Sequence, residues 1–186
     1  MKIPPQAQRV FKGVIFDVYQ WPQEMFDGSK QVFEAIKRPD CVQIIPVQGD
    51  SILIADEQQP SEKRILSLFG GRVDNDEGIL EAAKREFLEE TGMASDDWEL
   101  FKSYDAGSKM EFSVHYFIAR NVKKVAEPII DPGERIIIKP CTFEQLVDLY
   151  LSGDVHGYEL QREIMLMKLN PPKLEEFRRK LFPDKK

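Results

Sequence analysis

Residues 70–93 carry a pattern that few folds can hold. A Gly70-Gly71 turn is followed, over 78–90, by apolar residues at helical spacing: Leu80, Ala83 and Phe87. Thr91-Gly92 closes the segment, glycine being the usual residue after a helix C-cap. On a helix, Glu86, Glu89 and Glu90 crowd an arc of about 100° beside that apolar stripe. Glu86 and Glu90 stand one turn apart, where like charges cost an isolated helix a few tenths of a kcal/mol. Both also lie near the carboxyl end, where the helix dipole disfavours anions. A helix selected for stability alone would not place them there.

A divalent cation turns this repulsion into ligation. Carboxylate oxygens suit a hard ion such as Mg²⁺ or Mn²⁺. Mg²⁺ typically takes one or two carboxylates and completes its shell with water and substrate phosphates, which points to phosphoryl or pyrophosphate chemistry. Glu77, Glu81, Arg85 and Glu89 recur at steps of four, a stripe on which Arg85 can hold glutamates in place. The bland alternative is a solvated acidic helix face.

The rest of the chain is ordinary enough to exclude several classes. Its 186 residues suggest one domain with a small appendage, large enough to build a core without metals or disulfides. The net charge of −6 gives no basic patch for a nucleic-acid backbone. No apolar run reaches the length of a membrane span, and none near the start reads as a signal peptide. Cys41 and Cys141 lie far apart and form no CxxC pair, so two reduced thiols in a cytoplasmic protein are expected. His115 and His156 are isolated; packing or a substrate-facing donor suits His115 better than metal ligation.

Periodicity predicts an α+β chain, a mixed sheet sandwiched by helices behind an amino-terminal antiparallel ribbon. Strands are expected over 9–19 and 30–38, with Trp21-Pro22 as punctuation and Asp27-Gly28 as a turn. Further strands fall at 41–47, 51–55, 65–68, 98–104, 112–119 and 135–139. Thr142 is the expected N-cap of a helix through Leu151, and a last helix runs over 158–169 to a stop at Asn170-Pro171-Pro172. The division expected is a ribbon over 1–40, a main domain over 41–172 and a charged tail over 173–186.

The spacing itself is specific. Gly71, five residues, Glu77, seven residues, then Arg85-Glu86-Phe87-Leu88-Glu89-Glu90-Thr91-Gly92-Met93 resembles the Nudix hydrolase box at every defining position. The resemblance implies the Nudix α/β/α sandwich and hydrolysis of a nucleoside diphosphate linked to another group. It implies that Glu86, Glu89 and Glu90 ligate Mg²⁺ or Mn²⁺ with the backbone carbonyl of Gly70, and that Arg85 and Glu77 brace them.

Weaker likenesses extend over the rest of the chain, and they resemble the ADP-ribose pyrophosphatase and nucleoside diphosphate sugar branch. They imply a homodimer through the ribbon, with Arg38 near substrate. Asp105-Ala106-Gly107-Ser108-Lys109-Met110-Glu111 and Asp131-Pro132-Gly133-Glu134 are similar to the branch's two loops, which makes Glu111 and Glu134 candidates for the base and Glu134 a further metal ligand. Glu111 follows a glycine-bearing stretch with no visible clamp. Trp21, Phe16 and Tyr19 offer faces for a nucleobase or for the core, Lys12 and Arg38 offer charge for phosphate, and Gly71 completes the substrate-contacting set.

Two departures bear on substrate. Ala106 stands where the branch has proline, and Glu57-Gln58-Gln59-Pro60 lacks an arginine of the branch's Glu-Gln-x-Arg pattern. Both weigh against ADP-ribose specifically and leave nucleoside diphosphate sugars, including GDP-mannose-like ones, open. Dinucleoside polyphosphates, coenzymes, capped RNA ends and a non-catalytic nucleotide sensor are the alternatives.

Overall fold

A computed structural model of the chain describes residues 2–61 and 63–183. It opens with the ribbon: β1 (Gln8–Lys12), β2 (Asp17–Glu24) and β3 (Lys30–Lys37), antiparallel in that order. Alternation predicts one strand over 9–19, but the structure makes two. Gly13 N–H donates to the Phe16 carbonyl at 2.9 Å, and a β-carbon on Gly13 would lie 2.4 Å from that same oxygen, so a tight glycine turn interrupts the run. Pro22, expected as punctuation, lies inside β2 opposite Val32. It is tolerated because β1 pairs only as far as Gln20, leaving the side of β2 at Pro22 without a strand that needs its missing N–H. Gly28 makes the expected turn into β3 at φ 80°.

The main sheet runs in the order β12 (Arg135–Cys141), β5 (Ser51–Gln58), β4 (Cys41–Gln48), β10 (Ser113–Arg120), β8 (Asp97–Asp105), and β6 (Ile65–Ser67) also pairs with β5. Strands β4 and β10 are parallel, Ile44 facing Phe117; the β5–β12 and β8–β10 pairs are antiparallel. The near-continuous apolar runs of β4, β5 and β10 follow from burial on both faces. Val42, Ile44, Leu53, Ala55, Phe117 and Ala119 pack under α1 (Ile79–Thr91) with Ala82, Ala83 and Phe87. Their alternates Ile45, Val47, Ile52, Ile54, Tyr116 and Ile118 pack under α2 (Phe143–Ser152), α3 (Tyr158–Lys168) and α4 (Pro171–Leu181). The result is an α/β/α sandwich.

Thr142 caps α2 as expected, and Gln145 completes a capping box by accepting from Thr142 N–H at 2.8 Å. The segment expected as a charged, amphipathic tail is a helix that starts before it. Asn170-Pro171-Pro172 does end α3, but Pro171 opens α4, a position where its missing N–H has no intrahelical partner to lose. Phe177 and Leu181 of α4 are buried in the larger core, Phe177 stacking near Phe101 and Phe143. Arg120 of β10 ties the helix down through Asp97, Glu99 and the Lys180 carbonyl. Residues 184–186 of that segment lie outside the described residues.

Three two-residue strands escape periodicity: β7 (Met93–Ala94) pairs with β11 (Lys123–Lys124), and β9 (Met110–Glu111) adds to β3 in parallel. No helix among the described residues is long and apolar enough to cross a membrane.

Candidate active site

The two glycines before α1 have separate reasons. Gly70, at φ 146°, passes so close to β4 that a β-carbon would stand 2.1 Å from the Val42 carbonyl oxygen. Gly71 makes room for a side chain instead: its β-carbon would fall 2.5 Å from the Glu86 carboxyl carbon. Gly71, expected on the substrate side, thus seats Glu86. The ladder to β4 uses the carbonyls on either side of Gly70, Phe69 at 2.8 Å and Gly71 at 2.9 Å. Gly70 N–H donates to Glu90 Oε2 at 3.0 Å.

Arg85 braces the acidic face. Its Nε and Nη2 grip Glu77 at 2.9 Å each, Nη1 reaches Glu86 at 2.9 Å and Glu89 at 3.1 Å, and Nη2 also meets the Arg72 carbonyl at 3.0 Å. Of the expected stripe, Glu77 and Glu89 are bridged in this way, while Glu81 folds back over Gly78. Glu77, held first by Arg85, stays below its usual pKa. Glu86 is raised by burial, with Arg85 opposing.

Glu90 is the most perturbed of the site's carboxyls. Removal from water pushes its pKa up to about 9; Gly70 N–H opposes, and Glu86, Glu134 and Glu57 add repulsion. Glu134, just before β12, is raised by burial and then by Glu57, Asp131 and Glu86. Of the expected ligands, Glu86 and Glu90 of α1 and Glu134 of the β11–β12 loop come within electrostatic reach of one another, and one further carboxylate joins them. Glu57 accepts from Ser67 Oγ at 2.8 Å and from Gln59 Nε2 at 3.1 Å. The signal was present in the alternation of β5: Leu53 and Ala55 face α1, and Glu57 follows two residues on.

Whether this donor set suits a cation follows from its charges. Glu86, Glu134 and Glu57 all repel charge on Glu90, which is half-buried with one backbone donor. An all-oxygen set of this charge suits a hard divalent ion. As they stand, no three His, Cys, Asp or Glu side chains among the described residues are gathered closely enough to hold a metal ion. Mg²⁺ held there would draw the rest of its shell from water and phosphate oxygens.

The remaining candidates separate. Glu111 does have a clamp: Ile3 N–H and Lys37 Nζ both donate to its carboxylate, and β9 pairs it with Lys37. Burial would raise its pKa, but Lys37 and the Ile3 N–H outweigh burial and hold it low. Arg38 lies over the Phe112 ring at 5.0 Å and the Phe16 ring at 5.7 Å, its Nε buried without a partner. With Lys12, Tyr19 and Glu111 it lines a cavity of about 910 Å³ between ribbon and body. Trp21 does not line that cavity; it is 4% exposed, packed on Phe33, and donates to Gln23 at 3.1 Å. His115 is held by Ser103 at 2.7 Å and Asp40 at 3.4 Å.

The family model described as the NUDIX domain matches residues 37–164, which contain α1, Glu57 and Glu134. The chain belongs to the Nudix family. It is a Nudix pyrophosphohydrolase, and enzymes of this family use divalent metal ions. It is 24% identical over 166 residues to the ADP-ribose pyrophosphatase of Bacillus subtilis (strain 168), covering 87% of this chain and 90% of that protein. It is 27% identical over 126 residues to the ADP compounds hydrolase NudE of Escherichia coli (strain K12), covering 66% and 64%. A solved structure of an ADP compounds hydrolase superposes with a TM-score of 0.73 at 20% identity, covering 88% of this chain and 90% of that one, and shares the Nudix fold.

Proposed function

We propose that this Nudix enzyme hydrolyses the pyrophosphate bond of ADP-ribose or a related nucleoside diphosphate sugar, giving two monophosphates, with Mg²⁺ or Mn²⁺ as its metal. The observation that carries the reading is the carboxylate centre of Glu86, Glu90, Glu134 and Glu57 around Gly70-Gly71. Its likeness to an ADP-ribose pyrophosphatase over most of both chains supports the substrate class. Glu86, Glu89 and Glu90 would hold the metal with the Gly70 carbonyl, and Glu134 would join them. Bound there, divalent ions neutralise phosphate charge and lower the pKa of water.

The chain's own residues do the rest. Arg85, gripped by Glu77, keeps Glu86 and Glu89 aimed before substrate arrives. Glu134 takes the proton from the attacking water; a P–O bond forms, the bridging P–O bond breaks, and the leaving phosphate carries away the bridging oxygen. Glu111, neutralised by Lys37, shapes the ribbon side of the cavity. At about 910 Å³ that cavity is of the size that takes a nucleoside-bearing ligand. Arg38 offers it a buried guanidinium nitrogen without a partner.

Residues 1–40 act as a dimerisation and substrate-lining unit ahead of the main domain, and the assembly is a homodimer. Val10, Phe11, Val14 and Phe16 of the ribbon are exposed, which supports a second copy as their cover. Two free thiols suit a reducing cytoplasm. Incubating the protein with a panel of nucleoside diphosphate sugars, dinucleoside polyphosphates, coenzymes and capped RNA, with Mg²⁺ or Mn²⁺, tests the reading. Chromatography should show a nucleoside monophosphate and a sugar phosphate from the first group. Preferential cleavage of another group contradicts it.

A further inference from the structure

The β11–β12 loop is fastened unevenly. Its first half is bolted to the carboxyl end of α1 by backbone bonds: Val125 and Ala126 N–H donate to the Gly92 carbonyl at 2.9 and 3.0 Å, and Ile129 N–H donates to the Glu89 carbonyl at 2.7 Å. A β-carbon on Gly92 would stand 2.1 Å from the Ala126 carbonyl oxygen, so this contact is as close as glycine permits. The second half, Asp131-Pro132-Gly133-Glu134, folds on itself through Glu134 N–H to Asp131 O at 2.9 Å. A different bond joins the Glu134 side chain to the sheet. Gln59 Nε2 donates to Glu134 Oε1 at 3.4 Å and to Glu57 Oε1 at 3.1 Å.

One carboxamide nitrogen therefore stands between two carboxylates on different elements. Glu57 is the next-to-last residue of β5 and is fixed independently by Ser67 Oγ at 2.8 Å. Glu134 directly precedes β12, whose register places Arg135 opposite Gln58. The two acids would otherwise meet as like charges. An amide is the side chain suited to this place: it has two N–H donors and no net charge to compete with a cation. Gln59, Gln58, Pro60, Pro132, Gly133 and Glu134 also line one cavity of about 330 Å³, so the bridge closes the wall between strand and loop.

We infer that Gln59 is a positioning residue: its amide holds the Glu134 carboxylate against Glu57 and so fixes the loop end of the centre before metal and substrate bind. The inference rests on the reading of Glu134 as a functional carboxylate. Gln59 touches neither water nor phosphate in the reaction and acts through Glu134. Losing such an outer partner typically costs about 10- to 100-fold in activity or metal affinity.

The test compares Gln59→Leu and Gln59→Glu with the unmodified chain. Leu removes the donor, and Glu adds a third like charge at the same length. Hydrogen–deuterium exchange of the metal-free protein should accelerate in peptides spanning 130–135 in the order Gln, Leu, Glu, with the melting temperature nearly constant between Gln and Leu. Turnover should fall in the same order, by about 10-fold for Leu, with KM nearly unchanged. Unaltered exchange in both variants overturns the inference, whatever Glu134 does. So does equal acceleration in both, since a merely structural side chain would ignore charge. Faster exchange with full turnover also overturns it, and Glu134→Gln then identifies the failed premise. If that variant loses turnover, the bridge is dispensable; if it stays fully active, the role given to Glu134 falls.

Discussion

The Gly71 α-carbon and the Glu86 carboxylate occupy adjoining space: a β-carbon on Gly71 would stand 2.5 Å from the Glu86 carboxyl carbon and from Oε1. Gly70, one residue earlier, is constrained by backbone, its β-carbon meeting the Val42 carbonyl at 2.1 Å. The pair separates a functional need for glycine from a folding one. Gly71→Ala should keep the fold and shift Glu86, lowering turnover by about 10- to 100-fold and weakening Mn²⁺ binding by paramagnetic titration. Gly70→Ala should instead lower the melting temperature, since strain of this kind costs about 1–3 kcal/mol before the clash is counted. Thermal melts beside steady-state rates distinguish the two, and a reversal of these phenotypes contradicts the assignment.

The loop glutamates should also part company. Glu134→Gln should lower turnover and weaken Mn²⁺ affinity together, because Glu134 stands among Glu57, Glu86 and Glu90. Glu111→Gln should leave Mn²⁺ affinity intact, because its carboxylate is occupied by Lys37 and the Ile3 N–H. Titration of both variants checks this; equal losses of metal affinity would place Glu111 in the centre as well.

Docking of α4 should weaken in acid. Glu99 of β8 binds Lys180 Nζ at 2.7 Å and also pairs with Arg120. Burial would raise the Glu99 pKa, but these two cations hold it below the ordinary value. A depressed carboxylate pKa contributes stability that is fully present above the unfolded value, near 4.3, and lost as pH falls through the folded one. Denaturation curves at pH 7 down to about 3 should therefore fall more steeply below about 4.3 for the natural chain than for Glu99→Gln. Parallel acid limbs would remove Glu99 from the account of α4.

A homodimer should form through the ribbon. Val14 is 98% exposed, and Val10, Phe11 and Phe16 accompany it on β1 and the turn that follows it. Light scattering of the full chain at micromolar concentration should give twice the chain mass, and Phe11→Asp with Val14→Asp should shift it toward one. A monomeric full chain rejects the interface.

What sequence reasoning reached, and where it stopped, has physical causes. The helix α1 was legible because periodicity, a C-terminal glycine and carboxylate crowding agree over 13 residues. Arg85 as a brace followed from its place four residues before Glu89. Strands β7, β9 and β11 span two residues each, too short for any period to show. The break at Gly13 was hidden because the alternation on both sides stays in phase, and the start of α4 because Pro171-Pro172 reads equally well as a stop and as a first turn. Trp21 was ambiguous between a nucleobase face and a core side chain, and its Phe33 neighbour comes from cross-strand register. Glu57 was within reach of period two, yet its meaning depends on Gln59 and Glu134, the latter 77 residues away in sequence.

The half-buried carboxylates beside Gly70-Gly71 should serve chemistry at the expense of stability. Glu90 concentrates that cost, since burial and three neighbouring acids oppose its charge. The decisive measurement is Glu90→Gln, read by melting temperature and by turnover with saturating Mg²⁺ on the best substrate of the panel. The account predicts a melting temperature equal to or above that of the natural chain, with turnover lower by at least about 10²-fold, the scale of one preorganised electrostatic group. Near-normal turnover, or a loss that merely tracks a lower melting temperature, would contradict it.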